Sequence, residues 1–84
     1  MKKVLIYGLG VSGISTAKTL SKMGYDVYTF DKNKEEIDEL KGYDYSPISV
    51  LNLTEYNYEF VVKSPGIKPS DDIVKKLSKS MRLL

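Results

Sequence analysis

Residues 4–15 read VLIYGLGVSGIS. The run Val4-Leu5-Ile6-Tyr7 is continuously apolar, contains β-branched members and stops at a glycine. That pattern predicts a short strand buried on both faces, as in a parallel sheet. Gly8, Gly10 and Gly13 then spell G-x-G-x-x-G. Gly8 permits a tight turn out of the strand, Gly10 lets a phosphate approach the backbone, and Gly13 lets the following helix pack close to the sheet. The free N–H groups at the helix start face an anion. Alone this spacing is a weak signal, because glycine-rich turns also serve packing. Its position between a strand and a helix is the context that strengthens it.

Outward from the loop, Ile14, Ala17 and Leu20 recur at helical spacing and Met23 extends the row, so a helix is expected over 12–23. Gly24 stands where a helix end wants positive φ. Asp26 to Phe30 is a second strand, ended by Asp31. Asn33 is expected to cap a short acidic helix carrying Glu35, Glu36, Ile37 and Leu40, closed by Gly42. The stretch 43–58 is polar and tyrosine-rich, with a short strand expected near Tyr45–Ile48. Glu59 to Lys63 is a clear strand, broken by Ser64-Pro65-Gly66. Ser70 reads as an N-cap for a last helix with Asp71 and Asp72 in its first turn, Lys75, Lys76 and Lys79 toward its end, and Ile73, Val74 and Leu77 as its buried stripe. Met81 to Leu84 resemble the start of a further strand. The order predicts an α/β domain, a Rossmann-like open parallel sheet of four or five strands with helices on both faces and right-handed crossovers, forming a single small domain over residues 1–84.

Composition bounds the function. The 84 residues carry 13 basic and 11 acidic side chains, a net charge of +2, too weak a field to argue for nucleic acid or an anionic membrane. Cysteine and histidine are both absent. That removes thiol chemistry, the commonest general base and the commonest transition-metal ligand. No metal site and no catalytic residue is expected. The N-terminal apolar stretch is too short for a signal peptide, and no segment reaches the roughly 18 apolar residues of a spanning helix. A cytoplasmic location is the expectation.

Asp31 ends the second strand, where an acid about 20 residues beyond the loop meets a ribose hydroxyl in dinucleotide proteins. It can equally cap the following turn. Lys32, Asn33 and Lys34 share its rim, as contacts or as a solvated turn. Ser64-Pro65-Gly66-Ile67 lies at the carboxyl end of a strand, the edge where ligands bind in open α/β sheets, yet it is also an ordinary rigid turn. Asp71 and Asp72 are better explained by the helix dipole than as an acid–base pair. The tyrosines read mostly as packing residues with wet hydroxyls.

Two of these features together, G-L-G-V-S-G-I-S after the first strand and V-V-K-S-P-G-I after the fourth, resemble the N-terminal domain of the Mur ligase family, in its D-glutamate-adding branch. There the loop reads G-x-G-x-[ST]-G, the second strand ends in Asp, and S-P-G-I closes a later strand. The resemblance covers nearly all of the chain. It implies that Gly8, Leu9, Gly10, Val11, Ser12 and Gly13 cradle the diphosphate of UDP-N-acetylmuramoyl-L-alanine. Asp31, Lys32 and Asn33 would lie near uracil and ribose, with Ser64, Pro65 and Gly66 beside them. Where that family often has Thr-Arg after the aspartate, this chain has Lys32-Asn33, with Lys34 as a substitute for the arginine. The sister branch that adds L-alanine carries G-x-G-G-x-G-M, from which Val11 and Ile14 depart. The resemblance further implies a parent enzyme using ATP and Mg²⁺, whose central ATPase and C-terminal domains follow Leu84, and a segment here that binds without catalysing. No G-x-x-x-x-G-K-[ST] loop occurs in these residues. The competing reading is an NAD(P)-binding module of a dehydrogenase or of a potassium-transport regulator. It accounts for the loop and Asp31 and leaves S-P-G-I unexplained. A third is an interaction domain with a vestigial loop.

Overall fold

A computed structural model of the chain describes residues 2–33 and 37–78. Strand β1 (Lys3–Tyr7) leads through the glycine loop into helix α1 (Val11–Lys22), then strand β2 (Asp26–Phe30). A single 3₁₀ turn (Asp38–Leu40), strand β3 (Ser46–Pro47), strand β4 (Phe60–Lys63) and helix α2 (Asp72–Ser78) follow. The four strands form one sheet in the order β3-β2-β1-β4, and every pairing is parallel. This is the α/β, Rossmann-like architecture that the sequence predicts.

β1 is central because its side chains tolerate no water on either face. Val4, Leu5 and Ile6 are fully buried and Tyr7 nearly so. Alternation then builds two cores. Val4 and Ile6 join Leu9, Ile14, Ala17, Leu20 and Val27 beneath α1. Leu5 and Tyr7 join Phe30, Val61, Ile73, Val74 and Leu77 beneath α2. The helices therefore cover opposite faces, as expected. Gly24 closes α1 at φ +91°, accessible to glycine at little cost.

Four local expectations change. Met23 does not extend the α1 stripe; it follows the helix and is 65% exposed. Asn33 N–H donates to Asp31 Oδ1 (2.8 Å), and the next helical turn among the described residues is the 3₁₀ turn that starts at Asp38, without a side-chain cap. The expected contributions of Lys34, Glu35 and Glu36 lie outside the described residues, as do those of Lys79 and of 81–84. Ser70 is not the cap of α2. Asp71 is, because its Oδ1 accepts from the Ile73 and Val74 N–H groups (2.8 and 3.2 Å). Fourth, the segment 49–58 is not simply a polar connection. Leu53 and Tyr58 are buried in the α2-side core, and Tyr28, Tyr56 and Tyr58 pack ring to ring.

Candidate functional site

The carboxyl ends of β1, β2 and β4 meet at one cleft of about 440 Å³. Backbone hydrogen bonds hold its rim. Gly8 N–H donates to Phe30 O and Ser64 N–H to Tyr7 O, both at 2.9 Å, so the three strand ends are tied together where they turn. Gly8 takes φ +97°. A Cβ there would also meet Ser64 Cβ at 2.7 Å and Ile67 Cδ1 at 2.9 Å. The glycine loop and the Ser64 turn are therefore pressed together, and only glycine permits it.

α1 begins at this rim. Gly10 is its N-cap residue, with extended backbone, no side-chain cap and no acidic residue in the first turn. Helix starts normally satisfy their orphan N–H groups with such side chains. Here no described side chain takes that role, in a region of positive helix potential. Gly10 adds open space, since a Cβ on it would meet nothing within 4 Å. The donors and the room for an anion coincide.

Asp31 stands opposite. Its Oδ2 accepts from Leu9 N–H at 2.6 Å and its Oδ1 from Asn33 N–H at 2.8 Å. The carboxylate thus clasps the glycine loop to the turn after β2. Each oxygen keeps further lone-pair capacity, so a ligand hydroxyl can still be accepted.

The third wall is a network no local pattern announces. Asp71 Oδ1 accepts from the Tyr7 hydroxyl (3.0 Å), and Oδ2 takes the Lys32 ammonium (2.9 Å). One carboxylate joins the end of β1, the turn after β2 and the start of α2. Burial pushes the Asp71 carboxyl up, but the Lys32 ammonium, the Val74 N–H, the Tyr7 hydroxyl and the Ile73 N–H outweigh it and hold it below the usual range. Burial, and then the Asp71 carboxylate, push the Tyr7 hydroxyl up. Lys32 is raised, chiefly by its hydrogen bond to Asp71.

Of the residues expected at the site, Gly8, Leu9, Gly10, Asp31, Lys32, Asn33, Ser64 and Gly66 line this cleft. Ser12, Gly13 and Pro65 line a smaller hollow beside it, with Ser64 common to both. Val11 is 89% exposed at the helix start. Tyr7 and Asp71 were not expected here. Their signal is spatial, since 64 residues separate the two hydrogen-bonded side chains. Among the described residues no group of three or more His, Cys, Asp or Glu side chains is placed to hold a metal ion, and no helix is long and apolar enough to cross a membrane.

The parallel sheet, the glycine turn and the open helix start define a Rossmann-like class of domain, and family comparison agrees. The family model described as alanine dehydrogenase/PNT, C-terminal domain, matches residues 1–68, and the chain belongs to that family of Rossmann-like domains. Over nearly its whole length it also resembles UDP-N-acetylmuramoylalanine–D-glutamate ligases. It is 40% identical over 79 residues to the one from Fusobacterium nucleatum, a match covering 94% of this chain and 16% of the relative. The identity is 38% over 86 residues with that of Caldanaerobacter subterraneus, covering 89% and 18% respectively. It is 40% over 80 residues with that of Ligilactobacillus salivarius, covering 87% and 17%. The chain thus spans 16–18% of the length of these relatives.

Proposed function

We propose that these residues anchor the UDP end of UDP-N-acetylmuramoyl-L-alanine for an ATP-dependent ligase that adds D-glutamate in peptidoglycan biosynthesis. The observation that carries this reading is the convergence of the glycine loop, Asp31–Asn33 and the Ser64–Gly66 turn on one cleft. The names of the similar ligases support it independently. In this reading the α1 start and Gly10 take the diphosphate, while Asp31, Lys32, Asn33, Ser64 and Gly66 surround ribose and uracil. ATP, Mg²⁺ and the groups that form the amide bond belong to other domains of a cytoplasmic parent enzyme, so the 84 residues alone bind and do not catalyse.

A second reading is favoured by the family model, whose description names an alanine dehydrogenase/PNT domain. It makes the chain an NAD(P)-binding module. Titration of ¹⁵N-labelled protein with UDP-N-acetylmuramoyl-L-alanine, UDP, NAD and NADP separates the two. The UDP compounds are expected to shift the amides of Gly10, Ser12, Asn33 and Gly66. Shifts at those amides with NAD or NADP and none with either UDP compound would overturn the proposal in favour of the second reading.

A further inference from the structure

The carboxylate of Asp71 divides its work between its two oxygens. Oδ1 accepts three hydrogen bonds, from the Ile73 N–H (2.8 Å), the Val74 N–H (3.2 Å) and the Tyr7 hydroxyl (3.0 Å). Two of those donors are backbone of α2, and Tyr7 is a nearly buried residue of the central strand. The carboxylate cannot rotate about its bond to Cβ without giving up these partners. The position of Oδ2 is thereby set by α2 and β1, independently of any cation. Among the described residues Oδ2 takes Lys32 Nζ, at 2.9 Å.

Lys32 gains more from this bond than Asp71 does. Its side chain is long, flexible and exposed, and holding such a lysine in one place costs rotamer entropy. Lys32 and Asp71 both line the cleft, one on the turn after β2 and the other just before α2. The ion pair therefore joins two sides of the cleft and keeps the ammonium at its rim. An ammonium carries three donors and the bond to Asp71 occupies one, so a ligand oxygen can still be met. An exposed ion pair adds little to folding stability. Its larger effect falls on a ligand, because a side chain already in place loses little freedom on binding.

We propose that Asp71 is a positioning residue of the cleft, fixing the Lys32 ammonium for contact with the ligand without touching the ligand itself. The proposal rests on the UDP-binding reading for the ligand, and a measurement without ligand keeps the two separable. Side-chain NMR relaxation of Lys32 is compared in ligand-free wild type and Asp71→Asn, which keeps a capping oxygen but sets an NH₂ group against the ammonium. Lys32 is expected to be ordered in wild type and mobile in the variant. Tyr7→Phe leaves the α2 cap untouched, removes one anchor of Oδ1, and is expected to loosen Lys32 in the same direction. UDP and NAD are then titrated into wild type, Asp71→Asn, Lys32→Met and the double variant. Asp71→Asn is expected to weaken UDP binding about three- to tenfold, the worth of one pre-ordered side chain. In the Lys32→Met background the same change has less than about a twofold effect, since non-additivity marks residues that act as a unit. A purely structural role for Asp71 weakens binding equally in both backgrounds. A purely electrostatic one tightens binding when the carboxylate is removed beside a diphosphate. Either result overturns the positioning role, as does a Lys32 no more ordered in wild type than in Asp71→Asn. If UDP binds with none of this coupling, the UDP reading stands alone. If NAD binds with the coupling and UDP does not bind, the UDP reading falls and the positioning role survives. If neither nucleotide binds, both are overturned.

Discussion

Replacing Gly13 by alanine tests the geometry of the loop most severely. A Cβ built on Gly13 would meet the carbonyl oxygen of Gly8 inside the 3.0 Å that real Cβ contacts respect, and the Gly8 carbonyl carbon at 3.0 Å. Both opposing atoms are backbone, so no rotamer change relieves the clash. α1 and the turn after β1 must separate by about 1 Å, in an interior packed as densely as a molecular crystal. Overpacking of this kind costs roughly 1–3 kcal/mol, and with rigid partners the upper end applies. The helix-propensity gain of alanine over glycine returns about 1 kcal/mol at most. The net destabilisation is about 2 kcal/mol, a lowering of Tm by roughly 8–16 °C in a domain of this size. Gly10→Ala is the control. Its Cβ meets nothing within 4 Å and its φ of −79° suits any residue, so it is expected to lose less than about 1 kcal/mol. Its methyl group would stand at the cleft, and under the proposed function it is expected to weaken UDP binding. Thermal and urea unfolding followed by circular dichroism give both numbers. A Gly13→Ala protein with the wild-type Tm would refute the close-packing argument, and so would a Gly10→Ala protein that unfolds as readily as Gly13→Ala.

Asp71→Ala removes the cap of α2 and is expected to cost about 1–2 kcal/mol, whereas Asp71→Asn, which keeps a capping oxygen, costs less; urea unfolding compares them. Because the folded-state pKa of Asp71 is lowered, its stabilisation is complete above the ordinary carboxylate range and is lost as pH falls through the folded value. The stability gap between wild type and Asp71→Asn should therefore hold from pH 5 to 7 and shrink below about pH 4; a gap independent of pH down to pH 2 would refute the charged role. Thr29 Oγ1 is fully buried without a hydrogen-bond partner among the described residues, so Thr29→Val is expected to raise stability by about 1 kcal/mol, seen as a higher urea midpoint. Tyr58→Phe removes the buried hydroxyl that donates to Leu53 O (3.0 Å) and should cost about 1 kcal/mol by the same assay.

The parts of this fold that the sequence makes legible are those whose cause is local. An unbroken apolar run has one stable position in a parallel sheet, and β1 occupies it. G-x-G-x-x-G announces a turn and a helix start because one of the contacts its glycines serve lies only a few residues away. The Gly8 carbonyl against Gly13 is such a contact. The cap of α2 fails the same approach. Ser70 and Asp71 are both good N-cap residues, and Asp71 alone also reaches Tyr7 and Lys32. The tyrosine-rich segment 43–58 is opaque for a related reason. It has almost no regular structure, and its buried positions Leu53 and Tyr58 answer to Tyr28 on a distant strand. Asp31 lies between these cases. Its place at the end of β2 is readable, but its clasp on Leu9 N–H depends on how the loop returns.

The two outer strands of the sheet are unequal. β3 is two residues long and ends in Pro47, which has no N–H to offer an incoming chain, so that margin is blunted against further pairing. Among the described residues β4 pairs with β1 alone and offers Phe60-Val61-Val62, a β-prone triplet, along its outer side. Glu59 and Lys63 bracket the triplet with opposite charges, the placement of gatekeepers beside a sticky segment. Extension of this sheet by another strand, from whatever source, is therefore directional. Among the described residues it has a template on the β4 side, next to the Ser64 turn that lines the cleft, and almost none on the other.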